Sequence, residues 1–589
     1  MIRDHSALQG RLRFLWTLIW LSGVVLGLRL FQLQILQSSR YKLAAERNRS
    51  QIIPQAAPRG RIYDRNGVLL ATSVPAFTLI YIPGKRRDNV DLRPLARELA
   101  RELKQDPRGL YAKLQQAVRQ ETAVRLAENL PRATMFRLSE LKSIYPGIDL
   151  IVEARRYYPF GRFASHLIGY LGRIDPRSWE RLRGKGYRPD SRIGRLGLEG
   201  VFENELRGRD GGIRLEVDAR GRIKRILERI DWRAGDDLHL TIDASIQKVA
   251  DEALRNSKTG RGAVVAIDPR TGDILALSSQ PDFDPNALLS PDPRVVIKQV
   301  RDLPEFDYAI SGNYPPGSTF KPIVAAAGLN EGLIDPDESV YCPGYFDLGH
   351  RRFLCWQHSG HHEISFLMGL AQSCDVYFYK MGLKMGAGVI ERYEREFHLG
   401  RKTGVILAGE SGGRLSGPAA RAESGRAWYD GDTLNLAIGQ GSLLVTPLQM
   451  ALVAATLANH GVIWRPHCIK RIVYADGRPD YVQSPEKVGF VQLKDSTWSL
   501  LWRAMGLVVT DGTAHQAQIP GLEVRGKTGT AQNPRGEDHA WFIAFANRPG
   551  RPPSVAVAVL VMNGGHASGV AVPIARQVIA AAFGEGRTP

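Results

Sequence analysis

Tyr314-Pro315-Pro316-Gly317-Ser318-Thr319-Phe320-Lys321 decides how the C-terminal part of this chain is read. The prolines and glycine cannot continue a helix, whereas Thr319 to Leu329 is rich in alanine and aliphatic residues, so a helix is expected with Ser318 at its N-terminus. There, unpaired backbone N–H groups and the positive end of the helix dipole favour negative charge on a serine alkoxide or a tetrahedral oxyanion. Lys321, three residues on, shares the helix face. To act as a base it must lose its proton, which calls for burial or a cationic neighbour. Lys527 is the candidate neighbour.

A lone Ser-x-x-Lys arises by chance and then marks only a helix surface. Here two more strings follow in order. Ser373-Cys374-Asp375 lies between two apolar helical segments, Ile364 to Gln372 and Val376 to Met385, and reads as an interhelical loop. Side chains two apart then point the same way, which sends Ser373 and Asp375 into a cleft and Cys374 behind it. Lys527-Thr528-Gly529-Thr530 falls in a strand over Leu522 to Gln532, with Gly526 and Gly529 flanking the charge. Glycine weakens a strand but lets another backbone come close. The expected visitor is an extended peptide pairing with an edge strand, its terminal carboxylate drawn to Lys527 and hydrogen-bonded by Thr528 or Thr530. A hairpin glycine pair beside a solvated lysine is the bland alternative. The ordered triple argues against it, because nucleophile plus lysine, Ser-x-Asp and Lys-Thr-Gly together form the active-site signature of the penicillin-recognising serine enzymes.

The rest of the chain supplies a frame for that triple. From Asp236 onward β runs alternate with longer apolar helices: Ala263 to Ile267 and Ile274 to Ser278 form one hairpin, Trp541 to Ala546 and Val555 to Val561 another, and a helix near Val572 to Phe583 closes the fold. The expected class is α+β, with a five-stranded, mostly antiparallel sheet, helices on its faces and a helical subdomain, the cleft between them gathering the motifs. Residues 37–235 alternate extended runs with arginine-rich helices around glycine turns such as Asn66-Gly67. No acid–base constellation is visible there, so this segment reads as a pedestal, and 236–589 as the catalytic domain.

Phe14 to Leu36, 23 residues preceded by Arg3, Arg11 and Arg13, reads as an uncleaved membrane anchor with residues 1–13 in the cytoplasm and the bulk outside. Arg29 within it either snorkels to an interface or faces a polar groove on a membrane partner. The net charge of +19, from 79 Lys and Arg against 60 Asp and Glu, is spread along the chain. With no nucleic-acid motif, it fits attraction to a membrane or an anionic wall polymer rather than to nucleic acid.

The chain as a whole resembles the class B penicillin-binding proteins, monofunctional peptidoglycan D,D-transpeptidases, and most of all their elongation subtype. Arg59-Gly60 to Asn66-Gly67, Gly197 to Gly200, Pro316 to Lys321, Ser373-Cys374-Asp375, Gly439-Gln440-Gly441, Lys527 to Thr530 and Asp538 to Phe542 carry the likeness. It implies acyl transfer from a D-Ala-D-Ala stem peptide through Ser318, with Lys321 as base, Ser373 as proton relay and the N–H groups of Ser318 and Thr530 as oxyanion hole. β-Lactams would stall at the acyl-enzyme, and D,D-carboxypeptidase action is an implied side reaction. It also implies an inner-membrane location, a SEDS-type glycosyltransferase and other elongation-complex membrane proteins as partners, and no cofactor for the chemistry. Asp375 departs from the commoner Ser-x-Asn, since an ionised carboxylate cannot donate an amide hydrogen bond to substrate.

Cys342, Cys355, His361 and Cys374 follow a Cys-x12-Cys-x5-His-x12-Cys spacing. Three thiolates and one imidazole make a closed tetrahedral zinc set, with His350, His358 and His362 as substitute ligands. Some members of the resembled subtype carry an Asp, His and Cys metal site at this spacing. A disulfide or buried free thiols compete with that reading, and Cys468 stands apart as structural. Other functions fit less of the chain. A division-type transpeptidase shares the triple, a serine β-lactamase needs neither anchor nor pedestal, and an inactive scaffold would not need the triple.

Overall fold

The computed structural model describes residues 5–39, 50–83, 91–120, 123–145, 147–217, 223–290, 292–423, 425–534 and 536–584. Residues 1–4 of the expected tail and 40–49 at the start of the expected pedestal lie outside the described residues.

Chain contacts divide the molecule into two compact units whose segments interleave in sequence. One holds residues 1–57, 75–155 and 209–233, and the other 58–74, 156–208 and 234–589. In the first, an apolar helix, His5–Phe31, runs on through a π-helical turn at Gln32–Leu36. Its span Gly10–Leu36, with mean hydropathy 1.8, is the one stretch among the described residues long and apolar enough to cross a membrane. Arg29 Nη1 donates to Gln32 Oε1 at 2.6 Å, so the charge is met within its own helix. An antiparallel trio, Ser50–Gln55, Gly211–Val217 and Ile223–Ile230, belongs to the same unit. So do three helices packed on Leu95, Leu99, Leu110, Leu114 and Leu138.

The second unit is built on a five-stranded antiparallel sheet of β1 (Gly262–Ile267), β2 (Ile274–Gln280), β3 (Glu523–Ala531), β4 (His539–Asn547) and β5 (Val555–Val561), in the order β2-β1-β5-β4-β3. Both hairpins expected from the sequence are present, each strand within a few residues of its expected limits. Alternation along β1 splits its side chains between two cores. Val264 and Ala266 join the helices α1 (Ala244–Arg255) and α6 (Ala567–Ala582) on one face, while Ala263, Val265 and Ile267 join α4 (Pro447–Ala458) on the other. Burial on both faces explains why these strands read as unbroken apolar runs. Asp243 caps α1 through the N–H of Ser245, and Thr446 with Gln449 forms a capping box on α4. Between the motifs lie α2 (Lys321–Asn330), α3 (Asp375–Met385) and α5 (Asp495–Thr510). The Asn66-Gly67 turn joins Ile62–Tyr63 to the antiparallel Leu69–Tyr81, with Gly67 at φ +88° as such a turn requires.

Candidate active site

Ser318 sits in a 3₁₀ turn, Gly317–Phe320, that feeds α2, so the regular helix begins at Lys321 rather than at Thr319. Gly317 has φ +54°, and a Cβ there would stand 2.7 Å from the Thr530 carbonyl oxygen. Glycine is therefore what lets the Ser318 turn lie against the end of β3. Its N–H donates to Gly439 O at 2.9 Å, and Gln440 Nε2 donates to Thr530 O at 3.2 Å, which ties the Gly-Gln-Gly segment to both motifs.

Gly529 corrects an expectation. A Cβ on it would meet Thr319 Cγ2 at 2.8 Å and Pro316 O at 2.9 Å, and one on Gly526 would meet the Phe542 ring at 2.6 Å. The close visitors to these glycines are the nucleophile turn and a core ring, not a substrate backbone. β3 nevertheless forms the sheet edge, so peptide pairing along it stays available.

Lys321 is fully buried, and its Nζ donates to Ser373 O at 2.8 Å, Ser373 Oγ at 3.3 Å and Asp375 Oδ1 at 2.8 Å. The Phe378 ring centroid lies 5.1 Å away. Ser373 has φ +58°, a left-handed backbone that few non-glycine residues adopt. This kink points Ser373 and Asp375 at the lysine and leaves Cys374 on the other side, as the loop reading implied. Asp375 Oδ2 accepts from the Trp356 N–H at 3.0 Å, so both its oxygens are engaged by protein. Asp375 is thus held by Lys321 and the Trp356 backbone on its two oxygens.

The two lysines differ in their surroundings. Lys527 is also fully buried, and burial first, then the Lys321 charge, hold its ammonium well below the usual lysine range against the opposing pull of Asp375. Among the described residues the Asp375 carboxylate hydrogen-bonds Lys321 and not Lys527. Lys527 Nζ donates to Thr528 O at 3.0 Å, and Thr528 Oγ1 shares a hydrogen bond of 2.5 Å with Thr513. Thr513 and Trp356 escaped sequence reasoning. Thr513 follows an ordinary apolar helix, while Trp356 had one signal, an aromatic directly after a candidate ligand.

Behind the loop, the ligating atoms of Cys342, Cys355, His361 and Cys374 all lie within 4.8 Å of one another. His361 Nδ1 stands 3.6 Å from Cys342 Sγ and 3.5 Å from Cys355 Sγ. With Zn–S near 2.3 Å and Zn–N near 2.05 Å, a tetrahedral site has an S–N edge of about 3.6 Å, so the set fits zinc. All four cysteines are free thiols. The neighbouring Cys374 pulls the Cys355 thiol down, and Cys355 with burial pushes the Cys374 thiol up. His350, His358 and His362 are exposed and outside the cluster. Cys468 is buried apart, its thiol pushed up to about 12 by burial.

Residues 262–580 match the penicillin binding protein transpeptidase domain, and 54–240 the penicillin-binding protein dimerisation domain. The chain belongs to the penicillin-binding proteins. This penicillin-binding protein is 35% identical to the peptidoglycan D,D-transpeptidase MrdA of Acinetobacter baumannii over 98% of its own length and 88% of the relative's. Its fold is similar to that of a Helicobacter pylori penicillin-binding protein, PBP2, solved in complex with MreC, with TM-score 0.77 and 26% identity over 91% of this chain and 99% of that one. It is also similar to a chain of a peptidoglycan synthase complex described as coordinating polymerisation and crosslinking, with TM-score 0.72 and 31% identity over 98% and 99%.

Proposed function

We infer that this penicillin-binding protein is a peptidoglycan D,D-transpeptidase, as its MrdA relatives are named, and that it works in wall elongation. One observation carries the chemistry: Lys321, one turn after Ser318, is buried within hydrogen-bond reach of Ser373 and paired with Asp375. The Ser318 hydroxyl attacks the penultimate D-alanine carbonyl of a donor stem peptide, and its proton passes to Lys321 once that lysine has given up its own to the Ser373–Asp375 side. The N–H groups of Ser318 and Thr530 receive the oxyanion, where one such donor is worth about 3 kcal/mol. As the tetrahedral intermediate collapses, Ser373 relays a proton to the departing D-alanine amine. An amine of a neighbouring stem peptide then displaces Ser318, forming the cross-link and returning the serine proton. Lys527 and the Thr528 hydroxyl hold the donor's terminal carboxylate. β-Lactams acylate Ser318 in the same way and leave slowly.

The architecture fits this role. Residues 14–36 anchor the enzyme, 1–13 face the cytoplasm, 37–235 act as pedestal and 236–589 work outside the membrane. By likeness to the two complexes, its partners are an MreC-type scaffold and a membrane glycosyltransferase of the SEDS type that supplies nascent glycan. One structural zinc on Cys342, Cys355, His361 and Cys374 braces the Ser373 loop and supplies no chemistry.

Penicillin labelling tests the reading. Peptide mapping of the benzylpenicillin adduct by mass spectrometry is expected to find it on Ser318, and Ser318→Ala is expected to carry none. An adduct on another serine would overturn the assignment.

A further inference from the structure

Residues 173–195 carry seven arginines and one lysine, and the structure sorts them. Ile174, Tyr187 and Ile193 form a small core beneath the helix Pro176–Leu182, partly covered by Trp179 and Leu182. Some of the cations are answered locally: Arg188 pairs with Asp190 at 3.2 Å, and Arg195 with Asp175 at 2.9 Å. Arg177, Arg181 and Arg183 are exposed and have no carboxylate partner among the described residues. Arg181 reaches only Ser178 Oγ at 3.5 Å, and Arg183 lies over the Trp179 ring at 5.9 Å. These three, with Glu180, line one open depression of about 620 Å³. That is ligand-sized.

We propose that this depression is a docking site for the carboxylates of stem peptides on a peptidoglycan strand, separate from the cleft that reacts with them. The inference rests on the transpeptidase reading, which makes such a strand the polymer always present. Three guanidiniums without a carboxylate partner, around one acid, leave a surplus of positive charge at this open depression, where multiply charged anions gather. Arginine's planar fork matches a carboxylate in two-point contact. An anionic lipid surface shares part of this chemistry. The strand is favoured because the planar guanidinium forks match carboxylates, which stem peptides repeat along one polymer. Binding here would keep an acceptor strand near the enzyme between turnovers and would be weak at each contact and salt-sensitive.

The test uses full-length protein in detergent and soluble glycan strands released by a muramidase, with stem peptides intact or stripped by an amidase. Arg177→Ala/Arg181→Ala/Arg183→Ala is expected to bind intact strands about tenfold more weakly than wild type at low salt, with a flatter salt dependence. The triple lysine variant should keep most of the affinity, and stripped strands should bind both proteins equally weakly. Unchanged binding by the alanine variant, or an equal loss toward stripped strands, would overturn the proposal. So would a loss seen only with vesicles of anionic phospholipid. Fluorescent penicillin should acylate both proteins at the same rate. If it labels neither, the transpeptidase reading fails, a result distinct from failure of the depression.

Discussion

Two groups of buried charge in the same compact unit have opposite balance. In the cleft, Lys321 and Lys527 share one carboxylate, Asp375. In the other group, Arg59 Nε donates to Glu199 Oε2 at 2.5 Å and Arg59 Nη2 pairs with Glu203 at 2.7 Å. Arg156 meets Glu199 Oε1 at 2.6 Å and Gly60 O at 2.5 Å, and the Tyr158 hydroxyl adds a bond to Glu199 at 3.2 Å. Burial alone would push the Glu199 carboxyl up, but Arg156 and Arg59 more than offset that and hold it below the usual carboxylate range. Two cations meet two anions there, and the group is a brace. In the cleft two lysines meet one carboxylate, and an anionic ligand would favour the Lys527 ammonium that burial and the Lys321 charge disfavour. Burial of charge does not by itself distinguish chemistry from architecture; an unanswered charge does.

The brace offers the largest effect. Arg59→Met leaves Glu203 and half of Glu199 unpaired, and breaking one side of a buried ion pair costs about 3–5 kcal/mol. Thermal melting should show that loss, while the folded fraction acylates with penicillin at the wild-type rate. A variant that melts normally but acylates slowly would reverse the roles of the two groups. Lys527→Met should do the opposite. A charge-assisted bond to the ligand carboxylate is worth about 1.5–3 kcal/mol, so the second-order acylation rate should fall by about a hundredfold at the upper end. The melting temperature should hold or rise, because a buried amine with no carboxylate hydrogen-bonded to it among the described residues is replaced by an apolar side chain. A fall in stability like that of Arg59→Met would mean that Lys527 is a structural partner.

Much of this was readable in the sequence, for local reasons. Ser318, Lys321 and Ser373 stand out in the sequence because each lies within a few residues of a backbone signal: the Pro-Pro-Gly stop, the helix face, the loop between two apolar helices. The strands were found because burial on both faces makes them continuous apolar runs. What stayed hidden depends on long-range neighbours. Nothing near Gly529 says that Thr319, 210 positions earlier, fills the space beside it. Nothing near Lys321 says that Asp375, 54 positions later, will pair with it. The interleaved units were equally invisible, since residues 58–74 and 156–208 fold with a domain whose main segment starts at 234.

The thiol cluster sharpens the comparison at its smallest expected effect, because it touches the cleft only through the backbone on either side of the Trp356–Asp375 contact. Cys355 precedes Trp356, whose N–H holds Asp375 Oδ2 at 3.0 Å, and Cys374 lies between Ser373 and Asp375. A metal bound there would hold both ends of that contact and so keep Asp375 aimed at Lys321 without meeting substrate. Loss of an outer support of this kind typically costs ten- to a hundredfold in activity. Cys355→Ser, or removal of metal by a chelator, should therefore slow penicillin acylation by about tenfold while Ser318 still labels to completion. Metal analysis should find one zinc per chain in the wild type, with Zn–S distances near 2.3 Å by X-ray absorption. If metal-free protein acylates at the full rate, the loop is held by its own helices, and the cleft owes its geometry to Lys321 and Asp375 alone.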